Sequence, residues 1–137
     1  LLNEIQNYPE IDVVGWVSDV RPFIAQNSLY IIPLRIGGGT RIKVYEAMAM
    51  GKAVISTRVG VEGLPVVDGE NVILADSPDD LASAIINLLA DSNRRRVVER
   101  KARDFVQGNY SWGKAANVFA EICRDVVSAR RSAGSFT

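Results

Sequence analysis

One stretch limits what this chain can fold into more than any other. From Ile31 it runs Ile-Ile-Pro-Leu-Arg-Ile, then Gly37-Gly38-Gly39-Thr40-Arg41, then Ile-Lys-Val-Tyr-Glu-Ala-Met-Ala-Met, and closes on Gly51. It reads as strand, glycine loop and helix. Leu29 to Leu34 is the short apolar run expected of a strand buried on both faces. The glycines remove every side chain from the turn, so the backbone can bend freely and a ligand can come close to it. Thr40 is the expected N-cap, Arg41 to Met50 contains strong helix formers without internal Gly or Pro, and Gly51 stands where a helix-ending glycine belongs.

A helix N-terminus behind such a loop has free N–H groups and a partial positive charge, and both favour a phosphate. Arg41 and Lys43 add full charges in the first turn. The helix dipole disfavours a purely structural cation there. Glu46 is the only charged residue from Val44 to Met50, and a carboxylate on so apolar a helix needs partners. Ligand hydroxyls would serve; Arg41, Arg58 or a backbone cap are the plainer alternatives. Lys43 precedes it by one turn and shares its side of the helix.

The flanking sequence repeats the strand–helix alternation. Strands are predicted over Ile11–Val17, Leu29–Pro33, Ala53–Thr57 and Val72–Ala75, with a fragment at Val66-Val67 and a turn at Asp68-Gly69. Ser18-Asp19 caps a short helix over Val20–Gln26. Ser77 caps a helix carrying Leu81, Ile85, Leu88 and Leu89. Ser92 opens another, with Val97, Ala102, Phe105 and Val106 inward and Gly108 as its stop. Ser111 caps a last helix striped by Trp112, Ala116, Phe119, Ile122 and Val126, before a loose tail over Ser132–Thr137. The pattern predicts an α/β fold: one domain over residues 1–137, a Rossmann-like parallel sheet flanked by helices. Ligands of such sheets bind beyond the carboxyl ends of the strands, where the glycine loop lies.

Composition removes several chemistries. The chain has no histidine, so no Ser-His-Asp or Cys-His site can be assembled from it, and no metal site is expected. The formal net charge is zero, which argues against broad capture of nucleic acid. The single cysteine, Cys123, makes no internal disulfide and fits a reducing, cytoplasmic setting. No apolar run approaches the ~18 residues of a membrane span. Arg94, Arg95, Arg96, Arg100, Lys101 and Arg103 form a basic run suited to an anionic inner-membrane surface, although a solvated helix face is the plainer account. The opening Leu1 to Ile5 reads as the tail of a helix from a longer protein. The glycine loop alone is a weak signal, being neither GxGxxG nor a P-loop.

Taken together, Pro33-Leu34-Arg35, Gly37 to Lys43, Glu46-Ala47-Met48-Ala49-Met50-Gly51 with Lys52 to Thr57, and Gly60 to Leu64 resemble retaining glycosyltransferase family 4, of the GT-B fold. Gly15 to Val20 and Tyr110-Ser111-Trp112 fit as well. The resemblance covers essentially the whole chain. It implies the C-terminal, nucleotide-sugar-binding domain, without that domain's first strand and without the N-terminal acceptor domain. Glu46 matches the second glutamate of the family's pair, which takes hydrogen bonds from the donor ribose. Gly37, Gly38, Gly39, Thr40 and Arg41 match the loop facing the diphosphate and sugar, with Lys43 beside it. Trp16 and Val17 match the segment beside the base. Gly38 stands where the first glutamate is expected. The reaction implied is retaining transfer from a nucleoside-diphosphate sugar to a hydroxyl of a lipid-linked or growing glycan, in polysaccharide biosynthesis, with no cofactor and no essential metal. A 2-epimerase of nucleotide sugars and a non-catalytic nucleotide-binding module are the alternatives.

Because the resemblance puts the acceptor half elsewhere, the purified 137-residue chain should transfer no sugar. A coupled assay for nucleotide release that shows turnover by this chain alone would refute the expectation.

Overall fold

The computed structural model describes residue 5 and residues 7–133; the expected helix tail at Leu1–Glu4 and the end of the expected loose tail, 134–137, lie outside the described residues. Three parallel strands form one sheet in the order β1 (Leu29–Ile32), β2 (Ala53–Ser56), β3 (Ile73–Leu74). Leu29 pairs with Ala53 and Ile55 with Ile73. Around the sheet stand α1 (Arg21–Gln26), α2 (Ile42–Ala49), a 3₁₀ turn (Val59–Val61), α3 (Pro78–Ala90), α4 (Ser92–Asn109) and α5 (Trp112–Ala133).

Every residue of β2 is buried. Its alternating side chains feed two separate cores, as the two-residue period of a strand requires. Val54 packs with Ile32, Val44, Ala47, Met48, Val61, Val72, Ala102 and Val106 on the α2 side. Ala53 and Ile55 pack with Ile73, Ala75, Leu88 and Val98 on the α3 side. Helix α4 contributes to both. The sheet is thus covered by helices on both faces, the α/β architecture that the alternation predicts.

Several local expectations hold. Ser77 Oγ accepts from the Asp80 amide at 3.1 Å, and Pro78 opens α3. Ser111 Oγ accepts from the Lys114 amide at 3.3 Å at the start of α5. Gly51 ends α2 with φ +71°, its amide donating to the Met48 carbonyl at 2.9 Å.

Other expectations fail for definable reasons. Residues 11–17 form no strand. Among the described residues no strand pairs with them, Gly15 turns to φ +74°, and Ile11, Val14 and Trp16 are exposed. Strand β1 is not buried on both faces: Ile32 is buried while Ile31 is exposed, and among the described residues β1 stands at the edge of the sheet. Val66-Val67 makes no strand; instead the Asn71 side chain accepts from the Val67 amide at 2.8 Å, closing the Asp68-Gly69 turn. Helix α2 begins at Ile42, with Arg41 at the cap position, so Thr40 does not cap it. Helix α4 does open at Ser92, as expected, and Asp91 before it is the cap, accepting from the Arg94 amide at 2.9 Å. Val98 is buried where Val97 was expected, and Gly108 does not stop the helix. The α5 stripe is unpacked: Phe119, Ile122 and Val126 are all exposed, and the Trp112 side chain lies outside the described residues. Ser132 still belongs to this helix rather than to a loose tail.

The carboxyl end of β2 is fastened to β1 through Thr57 and Gly60. Thr57 Oγ1 donates to the Leu34 carbonyl and accepts from the Gly60 amide at 3.1 Å. A Cβ on Gly60 would lie 2.2 Å from Ser56 Oγ and 3.2 Å from the Ile32 carbonyl oxygen. Gly60→Ala should therefore destabilise the fold by about 1–3 kcal/mol, as overpacking does. Gly38, whose Cβ would meet nothing within 4 Å, serves as control: Gly38→Ala should leave the urea midpoint nearly unchanged.

Candidate functional site

A cleft of about 460 Å³ opens at the carboxyl end of β1, bounded by the glycine loop and the N-terminal half of α2. Ile32, Leu34, Gly38, Thr40, Arg41, Ile42, Lys43, Val44, Glu46 and Gly60 line it. The sequence reading and the fold therefore converge on one place. Gly38, Thr40, Arg41, Lys43 and Glu46 are brought together there. Gly37 and Gly39 belong to the same loop without lining the cleft. Trp16, 89% exposed, and Val17, half-buried, lie outside its lining. Trp16 is thus neither a core residue nor, in this state, part of the cleft wall. A larger hollow of about 860 Å³ lies along α5 between Asn109 and Ile122. It runs along the exposed stripe of this helix, and none of the site residues expected from the sequence lines it.

The loop offers hydrogen-bond donors. Among the described residues, none of the backbone amides from Gly37 to Lys43 is engaged by a carbonyl or a side chain. Amides left free at the first turn of a helix, with the dipole behind them, suit an anion. Only Gly39 adopts a positive φ, +90°, in this loop, a conformation that side-chain-bearing residues rarely take.

Glu46 projects from α2 into solvent and makes no hydrogen bond or ion pair among the described residues. Lys43 is also exposed and unpaired, so the two do not neutralise each other despite their spacing. The plainer partners for Glu46 are committed elsewhere. Arg58 donates to Asp76 through both its backbone amide, at 2.8 Å, and its guanidinium. Arg41 points inward. Its side chain is 7% exposed; Nη2 donates to the Gly37 carbonyl at 3.1 Å and Nη1 to the Gly38 carbonyl at 3.4 Å. The charge of Glu46 does reach Tyr30 on β1, whose phenol is pushed up first by burial and then by that carboxylate.

Sequence reasoning missed two contacts. Glu62, on the loop after β2, reaches Arg41 Nη2 at 3.4 Å. Tyr110 stacks on Tyr45 with ring centroids 4.5 Å apart, and burial followed by the Tyr110 hydrogen bond raises the Tyr45 phenol well above its usual range. No short-range spacing could have revealed either, since each joins segments distant in sequence.

With this geometry in place, comparison with known proteins is decisive. The profile of the family described as "Glycosyl transferases group 1" matches residues 1–91. This chain belongs to that family. An uncharacterized glycosyltransferase of Methanocaldococcus jannaschii is 28% identical over 107 residues, 77% of this chain and 27% of that protein. A lipopolysaccharide 1,2-N-acetylglucosaminetransferase of Salmonella typhimurium is 35% identical over 96 residues, 68% of this chain and 25% of that protein. The chain spans about a quarter to a third of the length of the curated relatives it matches. Sucrose-phosphate synthase of Thermosynechococcus elongatus superposes with TM-score 0.75 at 25% identity, over 93% of this chain and 34% of that one. The C-terminal domain of a group 1 glycosyl transferase from Francisella tularensis superposes with TM-score 0.66 at 24% identity, over 72% of this chain and 53% of that one. The fold is accordingly that of a glycosyltransferase C-terminal domain. No helix among the described residues is long and apolar enough to cross a membrane.

The Arg58–Asp76 clip ties the loop after β2 to the end of β3, at the same carboxyl edge as the cleft. Two hydrogen bonds from Arg58, the backbone one foremost, hold the Asp76 carboxyl below the usual carboxylate range. The folded value is the depressed one, so the clip contributes above the ordinary carboxylate pKa and is lost as pH falls through the folded value. A carboxyl-carbon NMR titration should show Asp76 protonating at lower pH than in the unfolded chain. Arg58→Gln should move it back toward the ordinary range.

Proposed function

We propose that the cleft binds the nucleoside-diphosphate sugar of a retaining glycosyltransferase of family 4, in the Gly-Gly-Gly-Thr-Arg branch. One observation carries this reading: an unpaired carboxylate, Glu46, stands one helical turn behind unengaged amides on a helix N-terminus, in a single cleft. The free amides of Gly37 to Lys43 suit the two phosphates, and Lys43 adds mobile positive charge. Glu46 is left to accept hydrogen bonds from the ribose hydroxyls. Trp16 and Val17 supply the base side, Trp16 having its ring open to solvent.

The chemistry follows from the same groups. When the sugar–oxygen bond to the diphosphate breaks, negative charge grows on the leaving phosphate. Pre-aimed amides and nearby cations lower the energy of that charge without a metal. Glu46 holds the donor in register and is the residue of this chain we place closest to the reaction. The acceptor is a hydroxyl of a lipid-linked or growing glycan, presented by a domain outside this chain, at the cytoplasmic face of a membrane. The lipopolysaccharide enzymes among the relatives support this choice of acceptor class. Relatives named as glycosyltransferases also favour transfer over epimerisation or a purely structural role.

A thermal-shift screen of nucleotide sugars on the full-length protein should find a donor that raises the melting temperature, since a ligand of the native state stabilises it. For that donor, Glu46→Ala should weaken binding by about 1–3 kcal/mol, the range for hydrogen bonds to a charged group. Equal affinities of parent and variant in calorimetry would remove Glu46 from the donor site.

A further inference from the structure

Arg41 is a buried cation with too little around it. Its side chain is 7% exposed, and Nε is fully buried with no hydrogen-bond acceptor among the described residues. Two neutral carbonyls, those of Gly37 and Gly38, take hydrogen bonds from its Nη atoms. Among the described residues its only charged partner is Glu62, through a single 3.4 Å contact from a side chain that is 74% exposed. A buried charge is costly unless well paired, and this pairing is thin. The positive charge sits at the wall of the cleft, beneath the unengaged amides at the start of α2. Two separate features therefore mark an anion position: the free helix N-terminus and an under-neutralised guanidinium.

We infer that Glu62 is a displaceable counter-ion: it neutralises Arg41 while the cleft is empty and yields that charge to an incoming diphosphate. The inference deepens the donor-site reading and rests on it. Glu62 is placed for the role. It follows the 3₁₀ turn at Val59–Val61, whose Gly60 and Val61 are buried, and its own side chain is mostly in water. An exposed carboxylate held by one long contact is weakly bound and opens easily. Arg41 need not swing out for the exchange. It already braces the Gly37 and Gly38 carbonyls inward, which leaves the amides of the same loop free to face the cleft. Glu62 thus sets how much of the Arg41 charge the ligand sees, and acts on binding through Arg41 rather than by touching the sugar.

The test uses inorganic pyrophosphate as the probe, titrated into the full-length protein by calorimetry at low and at physiological ionic strength. Glu62→Gln should bind pyrophosphate about two- to fivefold more tightly than the parent, the scale of releasing a partly exposed ion pair. Its affinity should also fall more steeply with salt, because an unneutralised charge is left for ions to screen. In an Arg41→Gln background the Glu62→Gln gain should vanish, as coupling between the two residues requires. Glu62 is exposed, so Glu62→Gln should fold normally; if Arg41→Gln does not, the salt dependence of the single variant decides. Equal or weaker binding by Glu62→Gln overturns the inference, since Glu62 would then position Arg41 or do nothing. Failure of pyrophosphate to bind either protein overturns it too. A sugar nucleotide that still stabilised the parent would in that case leave the donor-site reading standing.

Discussion

The complete burial of β2 is the constraint on which the rest of the structure depends. A strand with Ala53, Val54, Ile55 and Ser56 all out of water must be paired along both edges and covered on both faces. Its backbone groups are satisfied by β1 on one side and β3 on the other. Its side chains demand α2 over one face and α3 over the other, with α4 reaching both cores. A central parallel strand so enclosed fixes where its neighbours end. The turns leaving β1 and β2 are forced to the same edge, and there the Thr57 hydroxyl and the bare Gly60 let the two turns touch. The cleft is a consequence of that meeting.

Electrostatics at this edge follow an order of commitment. Arg58 is occupied by Asp76 and Arg41 by the loop carbonyls and Glu62. Lys43 and Glu46 are left uncommitted on the exposed side of α2, one turn apart. A surface that paired its charges for stability alone would have little reason to leave both free beside unengaged amides. The buried arginine shapes the loop, and the exposed pair is available to a ligand.

The periphery obeys the same physics in reverse. Residues 11–17 and the α5 stripe have the apolar patterns of a strand and a packed helix, yet both are largely exposed, and among the described residues no element packs over them. Apolar periodicity reports which face a segment can bury. It does not supply the surface against which to bury it.

The sequence by itself determined the elements whose causes are local. The Ser77 cap, the Gly51 stop, the glycine loop ahead of an apolar helix and the alternation that makes a parallel α/β sheet are all set by residues within a few positions of one another, where backbone preference and hydrogen-bond geometry act directly. Membership of the group 1 glycosyl transferases was legible for the same reason, in the contiguous run from Gly37 to Thr57. Tertiary structure alone decided the rest. It turned Arg41 inward to Gly37, Gly38 and Glu62, left Glu46 unpaired among the described residues and placed Trp16 outside the cleft. Those outcomes depend on which distant carbonyl, carboxylate or strand comes within a few ångströms, and linear spacing holds no record of such distances.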